Sequence, residues 1–290
     1  MAVPGKFTSL GKYSTQPAKG ITDKKLASGF MKKYIKKMQD LQDRLYAENS
    51  YALLLIFQAM DGAGKDSTIK HVMSGINPQG CQVFSFKQPS SEELDHDYLW
   101  RTNKCLPERG RIGIFNRSYY EEVLVVKVHP EILLREGLPR INDLNKVDER
   151  FWKKRYDSIN SMEKHLVENG TQILKFFLHV SRKEQADRFL GRINKPEKNW
   201  KFTFADIDER KYWEDYQRAY ESMISQTSTK QAPWYIIPAD KKWYMQIAVA
   251  EIILQRVEKL VLQYPPLSSK QLEELEKGKQ ALLNELNQES

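Results

Sequence analysis

One short segment limits the folds open to this chain more than any other. An apolar strand pattern, Tyr51 to Gln58, leads directly into the turn Ala59-Met60-Asp61-Gly62-Ala63-Gly64-Lys65 and then into a helical pattern. Glycines at positions 62 and 64 allow the backbone to curl so that successive N–H groups point inward. A helix beginning near Lys65 adds its positive N-terminal end, and the lysine adds a full charge. The segment predicts a phosphate-binding loop, formed by residues that include Gly62, Ala63, Gly64, Lys65, Ser67, Thr68 and Lys70.

The match to the usual G-x-x-x-x-G-K-[ST] pattern is incomplete, because Ala59 and Asp66 stand at the first and last positions. Asp61 and Asp66 therefore put two carboxylates beside a loop for anions. They would repel phosphate unless a cation lay between them. We expect Mg²⁺ at Asp61 and Asp66, with Mn²⁺ as the alternative ion. The competing interpretation is a glycine-rich strand-to-helix turn whose acids are solvated.

Apolar runs alternate with longer amphipathic ones along the chain, which indicates an α/β fold with a parallel sheet between helices. The predicted strands are 51–58, 81–87, 111–116, 171–180 and 234–238. The predicted helices between and around them are 65–74, 91–106, 118–127, 146–168, 183–193, 207–227 and 242–263. Five strands joined in this way predict one doubly wound domain.

The ends of the chain suggest two extensions to this domain. We expect an N-terminal extension at 1–24, the main domain at 25–266, and a C-terminal helical tail at 267–290. A helical pattern from Asp23 to Glu48 precedes the first strand. The tail carries leucines at near-heptad spacing, so it predicts a docked helix or a contact between copies of the chain, with a loose terminus as the alternative.

A second group of polar residues follows the third and second predicted strands. The third strand ends in Asn116-Arg117, with Glu121 one helical turn further on, and Lys87 closes the second strand. Carboxyl ends of parallel strands meet at one edge of a sheet, so we expect these side chains near the phosphate loop. Arg117 is a candidate to grip phosphoryl oxygens. A helix-terminus ion pair for Arg117 and a solvated Lys87 remain the alternatives.

Basic residues cluster after the fourth strand, in the segment 182–204. Arg188 and Arg192 precede a loop that contains Pro196, where small-molecule kinases place a mobile, arginine-bearing lid. This predicts an Arg-rich helical lid. An exposed amphipathic helix with ordinary surface charges is the alternative.

Composition excludes several classes of protein. No apolar run reaches the length of a membrane-spanning helix, and the two cysteines match neither a disulfide framework nor a zinc site. A reducing, cytoplasmic location is the expectation, with no membrane partner. The formal net charge of +8 fits a polyanionic ligand, but no base-reading motif accompanies it, so we expect no nucleic-acid partner.

The order of several linked motifs resembles that of the polyphosphate kinase 2 family, over about 52–265. The motifs are QAMDGAGKD (58–66), HVMSGINPQG (71–80), SFK (85–87), HDYLWR (96–101), FNRSYYE (115–121) and KQAPW (230–234). Asp66, Asn116 and Glu121 together are similar to the class III branch. Ser67 and Tyr119 depart from the family pattern, in which Gly and His are expected.

The resemblance implies a three-layer P-loop kinase fold that uses inorganic polyphosphate as phosphoryl donor, with Mg²⁺. Its implied acceptors are AMP and ADP, and GMP and GDP as further candidates, in a reversible in-line transfer without a covalent intermediate. By motif, Asp61, Lys65, Arg117 and Glu121 are the implied catalytic residues. Asn116 joins the second motif, and Arg188 and Arg192 are the implied lid arginines. Similar proteins form homo-oligomers, so a dimer or tetramer is expected.

Two other functions compete with this interpretation. An ATP-dependent nucleoside monophosphate kinase of the thymidylate-kinase type would use ATP and need no polyphosphate, but Asp66 replaces the hydroxyl usual in ATP-binding loops. A nucleic-acid-binding module would explain the basic charge and leave the phosphate loop without a role.

Overall fold

The structure, a computed structural model, describes residues 1–18, 24–139 and 141–288. Five strands form one sheet, and every pair of neighbours is parallel. The strands are β1 (Ala52–Gln58), β2 (Cys81–Ser85), β3 (Ile112–Asn116), β4 (Thr171–His179) and β5 (Trp234–Pro238). Their order across the sheet is β2-β3-β1-β4-β5. The predicted α/β class and the five-stranded parallel sheet are confirmed.

Eleven α-helices are described besides several short 3₁₀ turns. The helices are α1 (Lys24–Glu48), α2 (Lys65–Val72), α3 (Ser91–Leu94), α4 (Trp100–Asn103), α5 (Val125–Val128), α6 (Glu149–Glu168), α7 (Arg182–Ile193), α8 (Ala205–Asp208), α9 (Trp213–Thr227), α10 (Lys242–Glu258) and α11 (Ser269–Gln288). The 3₁₀ turns nearest the candidate site are Tyr119–Val123, Pro130–Arg135 and Pro196–Lys201.

The helices form two layers around the sheet. The chain runs from β1 towards one edge of the sheet to reach β2, and it runs towards the other edge from β3 to β4. Because crossovers between parallel strands are right-handed, these opposite directions put α2 on one face and α6 and α9 on the other. Helix α10 packs on α2 and β5, and α1 packs on α10. Strand β1 lies at the centre of the sheet and all its residues are buried. The loop that follows β1 therefore leaves the middle of the sheet's carboxyl edge, where ligands bind in such folds.

Several predicted helices differ from the observed ones; the pattern at 242–263, for example, ends at Glu258. The pattern at 91–106 is not one helix but α3 and α4, because the Asp97 side chain accepts the Leu99 N–H at 2.9 Å and offers the backbone a local alternative. The segment 118–127 divides into the 3₁₀ turn Tyr119–Val123 and α5. The helix predicted from 207 begins at Trp213, after α8 and a 3₁₀ turn at Glu209–Tyr212.

Both ends of the chain have defined conformations where they are described. The Ala2 N–H donates to the Trp234 carbonyl at 2.8 Å, and the Thr15 hydroxyl donates to Asp240 at 2.7 Å, so the N-terminal segment follows β5. Helix α11 is exposed along its described length. The predicted helix start at Asp23, residues 19–23 of the N-terminal extension, and positions 289–290 of the tail lie outside the described residues. None of the described helices combines the length and the apolar character needed to cross a bilayer.

Candidate active site

The loop after β1 has the conformation that its glycines predict. Gly62 and Gly64 have φ of 80° and 105°, in the left-handed region that favours glycine. A Cβ at Gly62 would lie 3.1 Å from the Phe189 ring, and one at Gly64 would lie 3.2 Å from the Met245 methyl group. Both glycines are therefore required by the backbone and by the close approach of α7 and α10.

Lys65, the first residue of α2, is nearly buried and points back over the loop. Its ammonium donates to the Ala59 carbonyl at 2.7 Å and lies 3.7 Å from the Asp61 carboxylate. Burial lowers the pKa of Lys65, and the nearby carboxylates of Asp61 and Glu121 oppose that shift. The lysine is thus held where it would face phosphates bound in the loop.

Asp61 and Arg117 connect the loop with the segment that follows β3. Arg117 Nη2 lies 2.8 Å from Asp61 Oδ1, in a hydrogen-bonded ion pair. Burial acts to raise the pKa of Asp61, but Lys65 and Arg117 together hold it below its ordinary value. Burial acts to lower the pKa of Arg117, and Asp61 together with Glu121 more than reverses this effect. Two cations and one carboxylate therefore meet at the mouth of the loop.

Arg117 also has an unusual backbone. Its φ is 65°, in a region that costs a non-glycine residue free energy. Its N–H donates to the Phe57 carbonyl at 3.0 Å, which continues the pairing of β3 with β1. Such strain at a charged residue beside a phosphate loop is typical of functional sites. The conformation turns the guanidinium back towards Asp61.

Asn116 and Asp66 form a second link across the same cleft. The Asn116 amide donates to Asp66 Oδ1 at 2.7 Å and lies 3.5 Å from the Ser85 hydroxyl. Asp66 is exposed in the first turn of α2. Glu121 lies near Arg117 and Lys65, and burial raises its pKa against the lowering effect of these two cations. The structure thus brings Asp61, Lys65, Asp66, Asn116, Arg117 and Glu121 together at one edge of the sheet.

Several other predicted ligand residues have different surroundings. The buried Thr68 hydroxyl donates to the Gly64 carbonyl at 3.0 Å, so it faces its own helix and is turned away from the cleft. Ser67 Oγ lies 3.4 Å from Gln246 of α10. Lys70 is exposed on α2, and Lys87 is exposed two residues beyond the end of β2. Of these four, only Lys87 lines the cavity described below.

The two predicted lid arginines are not equivalent. The Arg188 guanidinium is almost buried and donates to the carbonyls of Gly62 (3.1 Å), Ala63 (2.5 Å) and Ala239 (2.5 Å). In this arrangement the Arg188 donors are occupied by backbone carbonyls, two of them in the loop, and its part as a lid residue stays a prediction. Arg192 is partly exposed and lies 3.4 Å from Asp206 of α8.

The segment between α7 and α8 carries exposed apolar as well as basic side chains. Trp200 and Phe204 are each more than 70% exposed, beside Lys198 and Lys201. The Trp200 indole donates to the Glu197 carbonyl at 3.1 Å, and the Lys201 ammonium lies 4.8 Å from the centre of its ring. The assignment of this segment as a lid stays a prediction.

A buried polar cluster, which the sequence interpretation did not identify, holds the turn after Arg117 from behind. Lys175 of β4 donates to Glu163 Oε2 at 2.6 Å and to Tyr120 at 2.9 Å, while Tyr119 and Tyr120 both donate to Glu163 Oε1. Lys175 and Glu163 are essentially inaccessible to solvent. A lysine inside an otherwise apolar strand was the sequence signal that could have revealed this cluster.

Gln185 was also missed. Its side-chain amide donates to the Asp61 carbonyl at 2.7 Å and ties α7 to the loop. A glutamine on the helix after β4 has no distinctive sequence signal. Only the close packing of α7 on Gly62 shows its role.

A cavity of about 420 Å³ opens beside Arg117. Lys87, Arg117 and Glu121 lie at its wall, together with apolar side chains that include Leu94, Val125, Val126, Ile132 and Leu138. A mostly apolar cleft of this size with a few polar groups is the usual form of a small-molecule site. It lies next to the phosphate loop, because Arg117 borders the cavity and pairs with Asp61.

Comparisons with known proteins indicate the family. The family model described as polyphosphate kinase 2 (PPK2) matches residues 22–264. An ADP-polyphosphate phosphotransferase of Rhodopseudomonas palustris is 52% identical over 279 residues, which cover 96% of each chain. An AMP/ADP-polyphosphate phosphotransferase of Meiothermus ruber is 45% identical over 230 residues, or 79% of this chain and 80% of that protein. The crystal structure of polyphosphate kinase 2 from Arthrobacter aurescens TC1 superposes with a TM-score of 0.85 at 36% identity, covering 98% of this chain and 95% of that one.

Proposed function

The chain belongs to the polyphosphate kinase 2 family, and on that premise we propose that it transfers phosphoryl groups from inorganic polyphosphate to AMP and ADP, forming ADP and ATP. The observation that carries this proposal is the convergence of Lys65 and Arg117 on Asp61 at the mouth of a glycine-rich loop. Phosphoryl transfer depends mainly on alignment and charge stabilisation, which such an arrangement supplies.

The proposed acceptor range includes both mono- and diphosphates. The relative from Rhodopseudomonas palustris is named for ADP, and the one from Meiothermus ruber is named for AMP and ADP. Glu121 lies beside Arg117 in this chain, as in the motif that resembles class III. We therefore assign both AMP and ADP to the present enzyme, with guanine nucleotides as further acceptors.

Each charged residue has a distinct proposed part in the transfer. The inward-facing loop backbone and Lys65 bind phosphoryl oxygens, while Arg117 holds the transferring group in line with the acceptor oxygen. Asp61 orients Arg117 through their 2.8 Å contact. Arg188 keeps the loop open through its bonds to the Gly62 and Ala63 carbonyls. The attacking phosphate oxygen of the acceptor is already ionised at neutral pH, so no protein nucleophile is required.

Enzymes of this family generally use a divalent metal ion, and we assign Mg²⁺, with Mn²⁺ as the alternative. No group of three or more His, Cys, Asp or Glu suited to a metal occurs among the described residues. Mg²⁺ is nevertheless commonly held by one or two carboxylates and completed by phosphate oxygens and water. Asp61 and Asp66 supply such hard oxygen donors beside the loop. The bound ion would neutralise charge on the transferring group.

The metal assignment has a direct test. Asp61→Asn should raise the Mg²⁺ concentration needed for half-maximal activity at least about tenfold, because loss of one charged ligand weakens the site. Turnover and metal dependence that both match the wild type would contradict the role of Asp61.

The donor is tested by supplying purified protein with AMP, Mg²⁺ and either polyphosphate or ATP, and separating the nucleotides by chromatography. Polyphosphate should convert AMP to ADP and then to ATP. Product formed with ATP as the donor and none with polyphosphate would make the protein a conventional nucleotide kinase.

We further propose a cytoplasmic location and a homo-oligomeric assembly. Both cysteines, Cys81 and Cys105, are free thiols, which suits a reducing compartment. The exposed leucines along α11 suit a contact between subunits.

A further inference from the structure

The end of β5 joins the N-terminal segment to α7, the helix that contacts the phosphate loop. Asp240, two residues beyond β5, is almost completely buried. Its Oδ1 atom accepts the Ser181 N–H at 2.8 Å. Its Oδ2 atom accepts the Thr15 hydroxyl and the Gln16 side-chain amide, each at 2.7 Å, and the Asp240 N–H donates to the Thr15 carbonyl at 3.0 Å. One carboxylate therefore holds the start of α7 with one oxygen and the N-terminal segment with the other.

The contact with Ser181 fixes the place where α7 begins. Ser181 caps this helix, because its side chain accepts the Glu184 N–H at 3.1 Å. Its own N–H is held by Asp240, and the Ala239 N–H donates to the His179 carbonyl at 2.9 Å. A carboxylate beside the N-terminal end of a helix is also favoured by the helix dipole. The start of α7 is thus tied to the end of β5 by a side chain and by the backbone.

Helix α7 carries this position to the phosphate loop. Its bonds to the loop all go to backbone carbonyls: Gln185 donates to that of Asp61, and Arg188 donates to those of Gly62 and Ala63. Gln185 lies one helical turn beyond Ser181, and Arg188 lies two turns beyond it. A shift at the start of α7 would therefore move both donors relative to the loop.

The bonds to carbonyls also determine where the N–H groups of the loop point. In a planar trans peptide the carbonyl and the N–H point in opposite directions. Because Arg188 holds the Ala63 carbonyl, the N–H of the same peptide, which belongs to Gly64, is turned away from α7. A backbone site for anions needs its N–H groups on one side and its carbonyls on the other. The position of α7 therefore sets the direction of a loop N–H.

We propose that Asp240 is a positioning residue for phosphoryl transfer, and that Thr15 and Gln16 of the N-terminal segment keep its carboxylate in place. This inference rests on the proposed function, which makes the loop the phosphate site. None of these three residues lines the 420 Å³ cavity. Asp240 acts through Ser181 on α7, and α7 acts on the loop. Small displacements of groups that align a transfer are costly, so kcat should respond to this junction.

Two variants test the two sides of the junction, with ADP as acceptor and saturating polyphosphate. Asp240→Ala removes both contacts, and we expect kcat for ATP formation to fall about tenfold or more. The KM for ADP should change less than about twofold, because the cavity itself is unaltered. The double variant Thr15→Val with Gln16→Ala keeps the bond to Ser181, so its kcat should fall less, by about threefold. Asp157→Ala, an exposed acid on α6, is the matched control and should keep both constants.

A loss of folded protein would also lower kcat, so two further measurements separate positioning from stability. Asp240→Asn retains an oxygen for the Ser181 N–H and should stay within about threefold of the wild-type kcat. Asp240→Ala is also combined with Arg188→Ala. If Asp240 acts through α7, it should cost less than about threefold in a protein that already lacks Arg188. The same loss in both backgrounds, or a wild-type kcat for Asp240→Ala or for the Thr15 and Gln16 variant when folded, would overturn the proposal.

Failure of the proposed function is recognised separately, as absence of any product from polyphosphate in the wild type. In that case the dissociation constant of tripolyphosphate, measured by calorimetry with Mg²⁺ present, replaces kcat for the same variants. A constant raised about fivefold or more in Asp240→Ala, with the control unchanged, supports the positioning of the loop by Asp240. An unchanged constant rejects it.

Discussion

At the scale of single residues, the site is defined by charges that hold one another in place. Asp61 accepts from Arg117 and lies near Lys65, while Asp66 accepts from Asn116. A loop for anions is thus bordered by two acids, of which Asp61 is paired with cations and Asp66 is hydrogen-bonded by an amide. The usual phosphate-loop pattern has Ser or Thr after the lysine, where this chain has Asp66. The acid is accommodated there because Asn116, at the end of the neighbouring strand, donates a hydrogen bond to it.

Glu122 should make the stability of the protein depend on pH. Its pKa is raised to about 8 in the folded state, against an ordinary value of 4.5. Between these values the unfolded chain ionises while the folded protein keeps the proton, so the free energy of unfolding falls as pH rises from about 4.5 to 8. Urea unfolding of wild type and Glu122→Gln at pH 5 and pH 8 checks this. The wild type should lose more stability than the variant over that interval, and parallel losses would contradict the shifted pKa.

At the scale of elements, the turn Tyr119–Val123 is positioned by buried polar contacts with strand β4 and helix α6. Tyr119 and Tyr120 of this turn both donate to Glu163 of α6. Lys175 of β4 donates to Tyr120, to Glu163 and to the carbonyl of Thr227 in α9. The strained φ of Arg117 can be maintained because the residues on both sides of it are fixed by their contacts. The cluster therefore links α6 and α9 to the turn that follows Arg117, the residue that pairs with Asp61 of the loop.

Breaking this cluster on one side should be costly. Lys175→Met leaves the Glu163 carboxylate buried without its cation, for which we expect a loss of about 3–5 kcal/mol in the free energy of unfolding. The double variant Lys175→Met with Glu163→Leu removes both charges and should lose clearly less than the sum of the single losses. Denaturant unfolding of the three variants measures this. Additive losses would show that the two charges are not coupled.

Much of this architecture could be predicted from local patterns. The five strands and the loop after β1 were visible because apolar runs, glycines and a lysine occur at fixed spacing. The division of 91–106 into two helices was not, since it depends on how the Asp97 side chain bonds the backbone. The contacts of Arg188 could not be predicted from the sequence either. An arginine on a basic helix looks like a lid residue, and only packing shows that its donors bind carbonyls of the loop.

The site cluster shows the same division. Asp61, Lys65, Arg117 and Glu121 were predicted because two strand ends must meet at one edge of a parallel sheet. Glu136 and Arg155, which also line the cavity, were not, since one follows a 3₁₀ turn and the other lies on a helix, at positions far apart in sequence from the loop. Long-range contacts of this kind have no short-range signal.

At the scale of the whole molecule, the described chain has a single sheet with a helix that extends beyond it. Leu272, Leu275 and Leu282 of α11 are each more than half exposed. Their near-heptad spacing predicts a contact with a second copy. Truncation after Pro266 should therefore lower the molar mass of the assembly, measured by light scattering after size exclusion. A truncated protein with the same subunit number as the full chain would assign assembly to another surface.

The account's central claim is that the loop around Lys65 transfers phosphoryl groups from polyphosphate. The most direct measurement is the initial rate of ATP formation from ADP with polyphosphate as the sole donor, for wild type, Lys65→Ala and the control Lys153→Ala, a lysine exposed on α6. We predict ATP from the wild type and the control at similar rates, and a rate at least about 100-fold lower for Lys65→Ala, because a preorganised cation at the transferring group is lost. ATP formed by Lys65→Ala at the wild-type rate, or no ATP from any of the three, would contradict the account.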